Sequence, residues 1–467
     1  MKSVPLIALL VVQVLWASLV SADIAAYVPN WANQNNIDIS TLNYNNISQI
    51  LYAFFTVSAN GSVIPTLKAN DDINIPKLNQ LKSVYGFTTI ASIGGWTNST
   101  QFSQAFSTDA GRQNFVSSVV STLINSSYAF DGIDIDWEYP DASGNGCNSK
   151  SIHDFQNFNT TLKLLRDRLG NRTISIAAGA TIKVYSDVNG TNWLPIWARY
   201  LSYINVMTYD YSGNWNSHTG YNTPLFPSAN DPLKIISIND TLNNYVNVLG
   251  INPSQLRLGL EFNGHSFYPI NIDAAHPDGV FQTCPLTNAS DPASGACTTI
   301  KGDMLDNAAF DGCNPPGYSG DWSWRGLRSM GVLQTPTQTV PNSGWIRTFH
   351  NSVMVPTLIN PTSKVFINYD DVQSVTAKAQ FARYWKLGGI FAWELSEDYY
   401  NSSSNINGEL ISAAVSAYQS GQVFQLVATS KAAPARTART VDATTIVWWV
   451  VGSMCWASVI SWLWMSE

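Results

Sequence analysis

Short apolar runs alternate with helical stretches along most of this chain. The runs are Asp23–Val28, Ile47–Thr56, Phe87–Gly94, Ala129–Glu138, Thr173–Ala180, Tyr203–Tyr209, Leu256–Phe262 and Gly388–Glu394. They are rich in Val, Ile, Tyr and Phe and bounded by Gly, Asn or Pro, as buried strands are. Between them, apolar residues recur with helical period in Gly111–Asn125, Ile152–Leu169 and Val372–Leu387. Eight strands alternating with helices predict an α/β fold, a (β/α)8 TIM barrel. A doubly wound open sheet is the alternative, but the chain lacks its Gly-x-Gly-x-x-Gly phosphate turn.

The spacing is regular up to the seventh run and then breaks. About a hundred residues, 263–365, separate the seventh run from the eighth, too many for a loop in a compact domain. They are read as an inserted subdomain, which leaves 23–262 and 366–420 to the barrel. A stretch at 421–445 reads as a low-complexity linker, with Ala, Thr and Arg prominent in Ser430–Thr440.

Both ends carry long apolar segments. Lys2 precedes a run from Val4 to Val20 that closes on the small residues Ser21 and Ala22. Residues 1–22 therefore read as a signal peptide cleaved near Ala22, with a retained anchor as the alternative. At the other end, 446–465 are nearly all apolar, including Trp448, Trp449, Trp456, Trp462 and Trp464. Small residues, a polar spacer and a terminal apolar tail form a glycolipid (GPI) attachment signal. The alternative is a single C-terminal transmembrane helix, which usually carries Lys or Arg on its cytoplasmic side; none follows here.

Composition narrows the partners. Of 467 residues only 12% are charged, against a usual ~25%, while 45% are hydrophobic and 12% aromatic. That excludes charged, aromatic-poor disorder for most of the chain. The net charge of −7 argues against a nucleic-acid partner and favours an uncharged ligand compatible with aromatic rings. Asn-X-Ser/Thr sequons begin at Asn46, Asn60, Asn98, Asn125, Asn159, Asn171, Asn189, Asn239, Asn288 and Asn401, as in a glycosylated, exported protein. Cys455 lies in the terminal tail. Cys147, Cys284, Cys297 and Cys313 remain, an even set for an oxidising compartment with three possible pairings. No Cys/His spacing suggests zinc.

Polar and aromatic residues gather where the predicted strands end: Tyr27 and Trp31, Ser92-Ile-Gly-Gly95-Trp96, Glu138-Tyr139, Tyr209-Asp210-Tyr211, and Trp393-Glu394. In a TIM barrel those ends form the active face. One run stands out, Asp131-Gly-Ile-Asp134-Ile-Asp136-Trp-Glu138. Strand side chains alternate, so Asp134, Asp136 and Glu138 share the interior face about 6–7 Å apart, and Ile133, Ile135 and Trp137 pack outward. Crowded carboxylates in a dry interior cannot all ionise, so at least one pKa must rise and a general acid becomes available. A Ca²⁺ or Mg²⁺ cluster is the competing reading of the same spacing. The Trp- and Tyr-lined setting suits the apolar faces of sugar rings better.

This run resembles the DxxDxDxE signature of glycoside hydrolase family 18, the chitinases and related endo-N-acetylglucosaminidases. Ser92-Ile-Gly-Gly95, Met207-Thr-Tyr-Asp210 and Phe391-Ala-Trp393-Glu are similar to the family's third-, sixth- and eighth-strand motifs. Gly264-His-Ser-Phe267 and Asn368-Tyr-Asp-Asp371 resemble the stretches flanking its α+β insertion between strands 7 and 8. The likeness covers about residues 23–418 and is nearest to secreted fungal members. Two positions depart from it: Asn263 stands where many members have Tyr, and Glu261 where many have Pro.

The resemblance implies hydrolysis of β-1,4-linked N-acetylglucosamine in chitin by a retaining, substrate-assisted route, without cofactor or metal. Glu138 would be the acid and then the base. Asp136 would orient the acetamido group, Asp134 would share its proton, and Tyr209 would donate to the acetamido oxygen. Asp210, Trp393, Tyr27, Trp31, Gly95, Trp96, Tyr139 and Met207 would line the sugar sites. The expected protein is a monomer at the cell surface or wall, touching a membrane only through its C-terminal segment. A chitin-binding lectin and an endoglycosidase of N-glycan cores are the alternatives; family lectins commonly lack the terminal Glu, and the endoglycosidases usually lack the long insertion.

Overall fold

A computed structural model describes residues 23–425 apart from 269, 271, 273–275, 285–296, 308–312, 314–315 and 335–339. The readings placed on 1–22 and on 426–465 lie outside the described residues. Among the described residues no helix is long and apolar enough to cross a membrane.

Seven parallel strands come first: β1 (Asp23–Pro29), β2 (Gln49–Val57), β3 (Thr88–Gly94), β4 (Gly132–Asp136), β5 (Thr173–Gly179), β6 (Tyr203–Met207) and β7 (Leu256–Glu261). A second sheet follows, formed by β8 (Asn263–Phe267), β9 (Asp321–Ser323), β10 (Ile346–His350), β11 (Val355–Asn360) and β12 (Val365–Asn368). The eighth barrel strand is β13 (Gly389–Trp393). It pairs in parallel with both β1 and β7, and β1 also pairs with β2, so the sheet closes. A short strand, Val63–Pro65, adds antiparallel to the end of β2.

The barrel strands are buried on both faces, as closure demands. Their outward residues meet the helices α1 (Lys68–Tyr85), α2 (Asp109–Ser118), α3 (Asp154–Leu169), α4 (Val372–Tyr384) and α5 (Glu409–Gln419). The helical period predicted for Gly111–Asn125 is realised as α2 continued by a wider π-turn at Val119–Ile124. The start of α2 is capped by Thr108, whose side chain accepts from the Gly111 N–H. On β4, Ile133 and Ile135 are buried, and Trp137 just beyond it packs against Phe102, Phe106 and Phe158. Removing a side chain of that size from a core costs about 3–5 kcal/mol, so this outer packing fixes the rotation of β4.

The insertion is an antiparallel sheet in the order β9-β8-β12-β11-β10. It takes in Val365–Asn368, residues the apolar pattern assigned mostly to the barrel side of the boundary. The correction has a plain cause: a buried apolar strand reads the same in either sheet, and only its pairing with β8 and β11 assigns it. Cys147 bonds Cys313, joining the loop after β4 to the insertion, and Cys284 bonds Cys297 within it.

Candidate active site

The interior face of β4 carries the acids. Asp134 is fully buried and accepts four hydrogen bonds: from Tyr27 Oη (2.8 Å), Ser92 Oγ (2.8 Å), Ser175 Oγ (2.7 Å) and Asn205 Nδ2 (3.2 Å). Strands β1, β3, β5 and β6 each supply one donor. Burial raises its pKa and these donors partly offset the rise, leaving it above the ordinary Asp range. Asp136, next toward the open end, is 4% exposed, and its buried Oδ1 has no hydrogen-bond partner. Burial first, then the neighbouring Glu138 and Asp134, push it well above the ordinary value. Glu138 is half-buried at the mouth, and burial pushes it up to about 7, with Asp210 adding to the rise.

The backbone of this segment is clamped. The Gly95 N–H donates to the Asp136 carbonyl at 2.8 Å. Ser99 Oγ donates to the same carbonyl at 3.1 Å and accepts from the Glu138 N–H at 3.0 Å. Asn148 Nδ2 donates to the Glu138 carbonyl at 2.7 Å. Gly95 has φ +86°, and a Cβ there would lie 2.6 Å from the Phe54 ring. Glycine is therefore required here, where the backbone supports the site from beneath.

Above the acids lies a cavity of about 250 Å³, lined by Asp136, Glu138, Tyr209, Met207, Asp210 and Trp393, and by Tyr27, Trp31, Phe54 and Trp96. Trp393 forms its floor among Tyr27 (5.2 Å between ring centres), Phe54 (5.7 Å) and Trp31 (6.2 Å). Tyr209 leans in over Gly259, where a Cβ would lie 2.7 Å from its ring. A second cavity of about 430 Å³ shares Glu138, Met207, Tyr209 and Asp210 and adds Tyr139. A third, of about 620 Å³, shares Trp31 and Trp96 and extends along the insertion. Together they form a cleft across the barrel mouth with Glu138 near its middle.

The cleft thus sets a buried row of carboxyls, ending at the half-buried Glu138, among Trp and Tyr rings. The sequence profile of glycosyl hydrolases family 18 matches residues 23–398. The chain belongs to that family.

Among similar proteins is chitinase ChiA of Flavobacterium johnsoniae, 32% identical over 369 residues, 71% of this chain. This chain spans only 23% of that relative's length. A chitinase-like effector of Moniliophthora roreri is 28% identical over 80% of this chain and 89% of its own. The crystal structure of a chitinase from Rhizomucor miehei matches with a TM-score of 0.71 at 26% identity, over 85% of this chain and 99% of that one.

The structure brings Asp136, Glu138, Tyr139, Met207, Tyr209, Asp210, Trp393, Tyr27, Trp31 and Trp96 to this family 18 cleft, with Asp134 and Gly95 beneath it, whereas Asp131 lies just before β4, paired with Lys82. The hydroxyl of Tyr27 is committed to Asp134, so it positions the acid row while its ring lines the cavity. The contacts among a neighbouring group of residues were not legible. Asp210 meets His265 Nε2 at 2.6 Å, and His265 Nδ1 meets Asp321 at 2.7 Å. Burial would lower the His265 pKa, but the two carboxylates outweigh it and hold the ring well above its ordinary value. The imidazolium thus donates at both nitrogens. Glu261, at the end of β7, accepts from Asn222 Nδ2, and burial followed by Asp210 lifts it well above the usual range. Asp210, Glu261 and His265 hold ligand atoms within 4.8 Å of one another, a spacing a divalent cation would accept. The proton on His265 supplies the positive charge between Asp210 and Asp321. Trp215, 46% exposed, packs edge-to-face with His265, their ring centres 4.8 Å apart. The Gly-His-Ser-Phe motif signalled His265, but nothing local in the sequence ties Trp215 or Asp321 to it.

Proposed function

We propose that the protein hydrolyses β-1,4-N-acetylglucosamine linkages of chitin. The observation that carries the reading is the graded acid row: Asp134 anchored by four donors, Asp136 buried with an unpartnered oxygen, and Glu138 at about 7 facing the cavity. A carboxyl that keeps its proton near neutrality can protonate a glycosidic oxygen. No second carboxylate is needed as nucleophile in a substrate-assisted reaction. The acetamido oxygen of the sugar over Trp393 attacks its own C1 as Glu138 gives its proton to the leaving oxygen. Asp136 Oδ1 accepts from the acetamido N–H, and the Tyr209 hydroxyl steadies the acetamido oxygen. Glu138, now ionised, takes a proton from water, which opens the oxazolinium and leaves the anomeric configuration retained. Cellulose lacks the acetamido group and is not cleaved.

The test is hydrolysis of a chitin oligosaccharide by the wild type and by Glu138→Gln. Product from the wild type and a loss of about 10³-fold in the variant are expected for removal of a general acid. Binding without product from either protein would make this a chitin-binding lectin. Cleavage of N-glycan cores but not chitin would make it an endo-β-N-acetylglucosaminidase.

We infer also that the chain is exported through residues 1–22, glycosylated, and held at the cell surface by 446–465. The two disulfides fit an oxidising compartment. The sequon residues Asn46, Asn60, Asn125, Asn171 and Asn189 are exposed, as acceptors must be. Release from cells by a phosphatidylinositol-specific lipase is expected of a GPI anchor; retention would point to a transmembrane tail.

A further inference from the structure

The chemistry above does not use Glu261, which stands where many family members have Pro. This residue closes β7 in parallel register with Trp393, is buried, and lines none of the three cavities. A buried carboxyl outside the cleft acts on its protein neighbours. Here the neighbour is Asn222, also buried, whose Nδ2 donates to Glu261 Oε2.

Asn222 in turn grips the loop after β6. Its Oδ1 accepts from the Asp210 N–H at 2.9 Å, and its backbone carbonyl accepts from the Tyr211 N–H at 3.0 Å. Between those bonds Asp210 has φ +58°, in the left-handed region that a residue with a side chain keeps only when its surroundings hold it there. Tyr209, the residue before, faces the catalytic cavity, and Thr208 Oγ1 donates to the Gly259 carbonyl at 2.7 Å. Asn222 has a firm base. The next residue, Thr223, donates to Asp370 at 3.0 Å and accepts from the buried Lys378 at 2.6 Å. An amide carries an acceptor at one end and donors at the other. An acceptor facing Nδ2 therefore fixes which way round the amide sits, and Glu261 supplies it. A carboxyl accepts in either protonation state. A flipped amide would set its NH₂ against the Asp210 N–H and release the turn.

We propose that Glu261 is a positioning residue for the reaction: it orients the Asn222 amide, which holds Asp210 in its left-handed turn and so aims the Tyr209 hydroxyl into the cleft. The inference rests on the chitin reading and extends it to a residue that touches no sugar. Tyr209 acts on the acetamido oxygen as that oxygen attacks C1. Loss of the support is therefore felt in the transition state, in kcat more than in KM.

The experiment measures kcat and KM on a chitin oligosaccharide for the wild type, Glu261→Gln, Glu261→Met and Tyr209→Phe, and for Glu261→Met in the Tyr209→Phe background. Gln removes the charge and keeps the acceptor; Met keeps the length and removes both. The expected result is a fall of about tenfold in kcat for Glu261→Met, the scale of one lost hydrogen bond, with KM changed by less than about twofold. Glu261→Gln should recover most of that loss. In the Tyr209→Phe background the Glu261→Met penalty should shrink to below about threefold, because residues that act as a unit are not additive. A merely structural role would give a penalty independent of the Tyr209 hydroxyl. Should Glu261→Met fail to fold, Asn222→Ser, which leaves Glu261 in place, should show the same loss of kcat and the same dependence on Tyr209. Wild-type kcat in Glu261→Met or in Asn222→Ser, a Gln variant as impaired as the Met variant, or a penalty undiminished in Tyr209→Phe overturns the proposal while leaving chitin hydrolysis standing. Failure of the wild type to cleave the oligosaccharide overturns the functional reading and the proposal with it.

Discussion

The barrel interior holds two buried polar networks at its opposite ends, and they are built on opposite principles. At the bottom, Arg257 is fully buried and donates to Asp23 and Gln49, both at 2.7 Å, with its guanidinium 3.7 Å from the Tyr203 ring centre. Burial would raise the Asp23 pKa, but Arg257 and Ser48 more than reverse it and hold the carboxylate below its ordinary value. At the top, Asp134, Asp136 and Glu138 have no cation in contact, and burial raises all three. The networks meet through Asn205, which accepts from Arg257 at 3.4 Å and donates to Asp134 at 3.2 Å. A matched pair closes the bottom; an unmatched row at the mouth keeps a proton to give away.

The largest expected effect comes from breaking the matched end. Arg257→Met strands the Asp23 carboxylate and should cost about 3 kcal/mol, since losing one partner of a buried pair leaves a charge unpaired. Denaturant unfolding measures it. An unchanged midpoint would mean the pair closes nothing. Next is the support of the unmatched end. Tyr27→Phe removes one of four donors to Asp134, and kcat should fall about tenfold with KM little changed. Because that donor favours the ionised form, the acid-limb pKa of the rate profile should move up. A change confined to KM would show that Tyr27 acts only as a sugar contact.

The third test is stability against pH, where the two ends have opposite signs. Glu138 is raised from 4.5 to about 7, and the buried Glu394 and Asp398 also reach about 7. Through that window the folded protein keeps protons that the unfolded chain has lost, so stability falls as pH rises from about 4 to 7. Asp23 is lowered below 3.8, so its contribution is present above that value and is lost as pH falls through the folded pKa. The melting temperature should therefore peak near the acid end of the window. In Glu138→Gln its decline toward pH 7 should be shallower. A melting temperature that climbs from pH 4 to 7 would break the comparison.

How far the sequence reveals these features follows from how local they are. The barrel strands were legible because each is a short run of Val, Ile, Tyr and Phe closed by Gly, Asn or Pro. The acid row was legible because its three members alternate along β4 and the two residues that follow it. The Arg257–Asp23 pair joins residues 234 positions apart, so no local pattern marks it. Tyr27 read as a sugar contact from its place at a strand end; that its hydroxyl serves Asp134 depends on β1 facing β4 across the closed barrel. Glu397 and Tyr318 share a cavity only because the insertion folds back over the mouth. The insertion's own strands were hidden because its Gly, Pro and Trp content follows neither strand nor helix period.

The central claim is that the unmatched end keeps Glu138 protonated near neutrality. Carboxyl infrared spectra of the wild type minus Glu138→Gln, taken across pH in the ligand-free protein, isolate that one group. A protonated-carboxyl band that titrates at about pH 7 is the predicted result. A band that is gone by pH 6, titrating near the ordinary 4.5, would contradict the account.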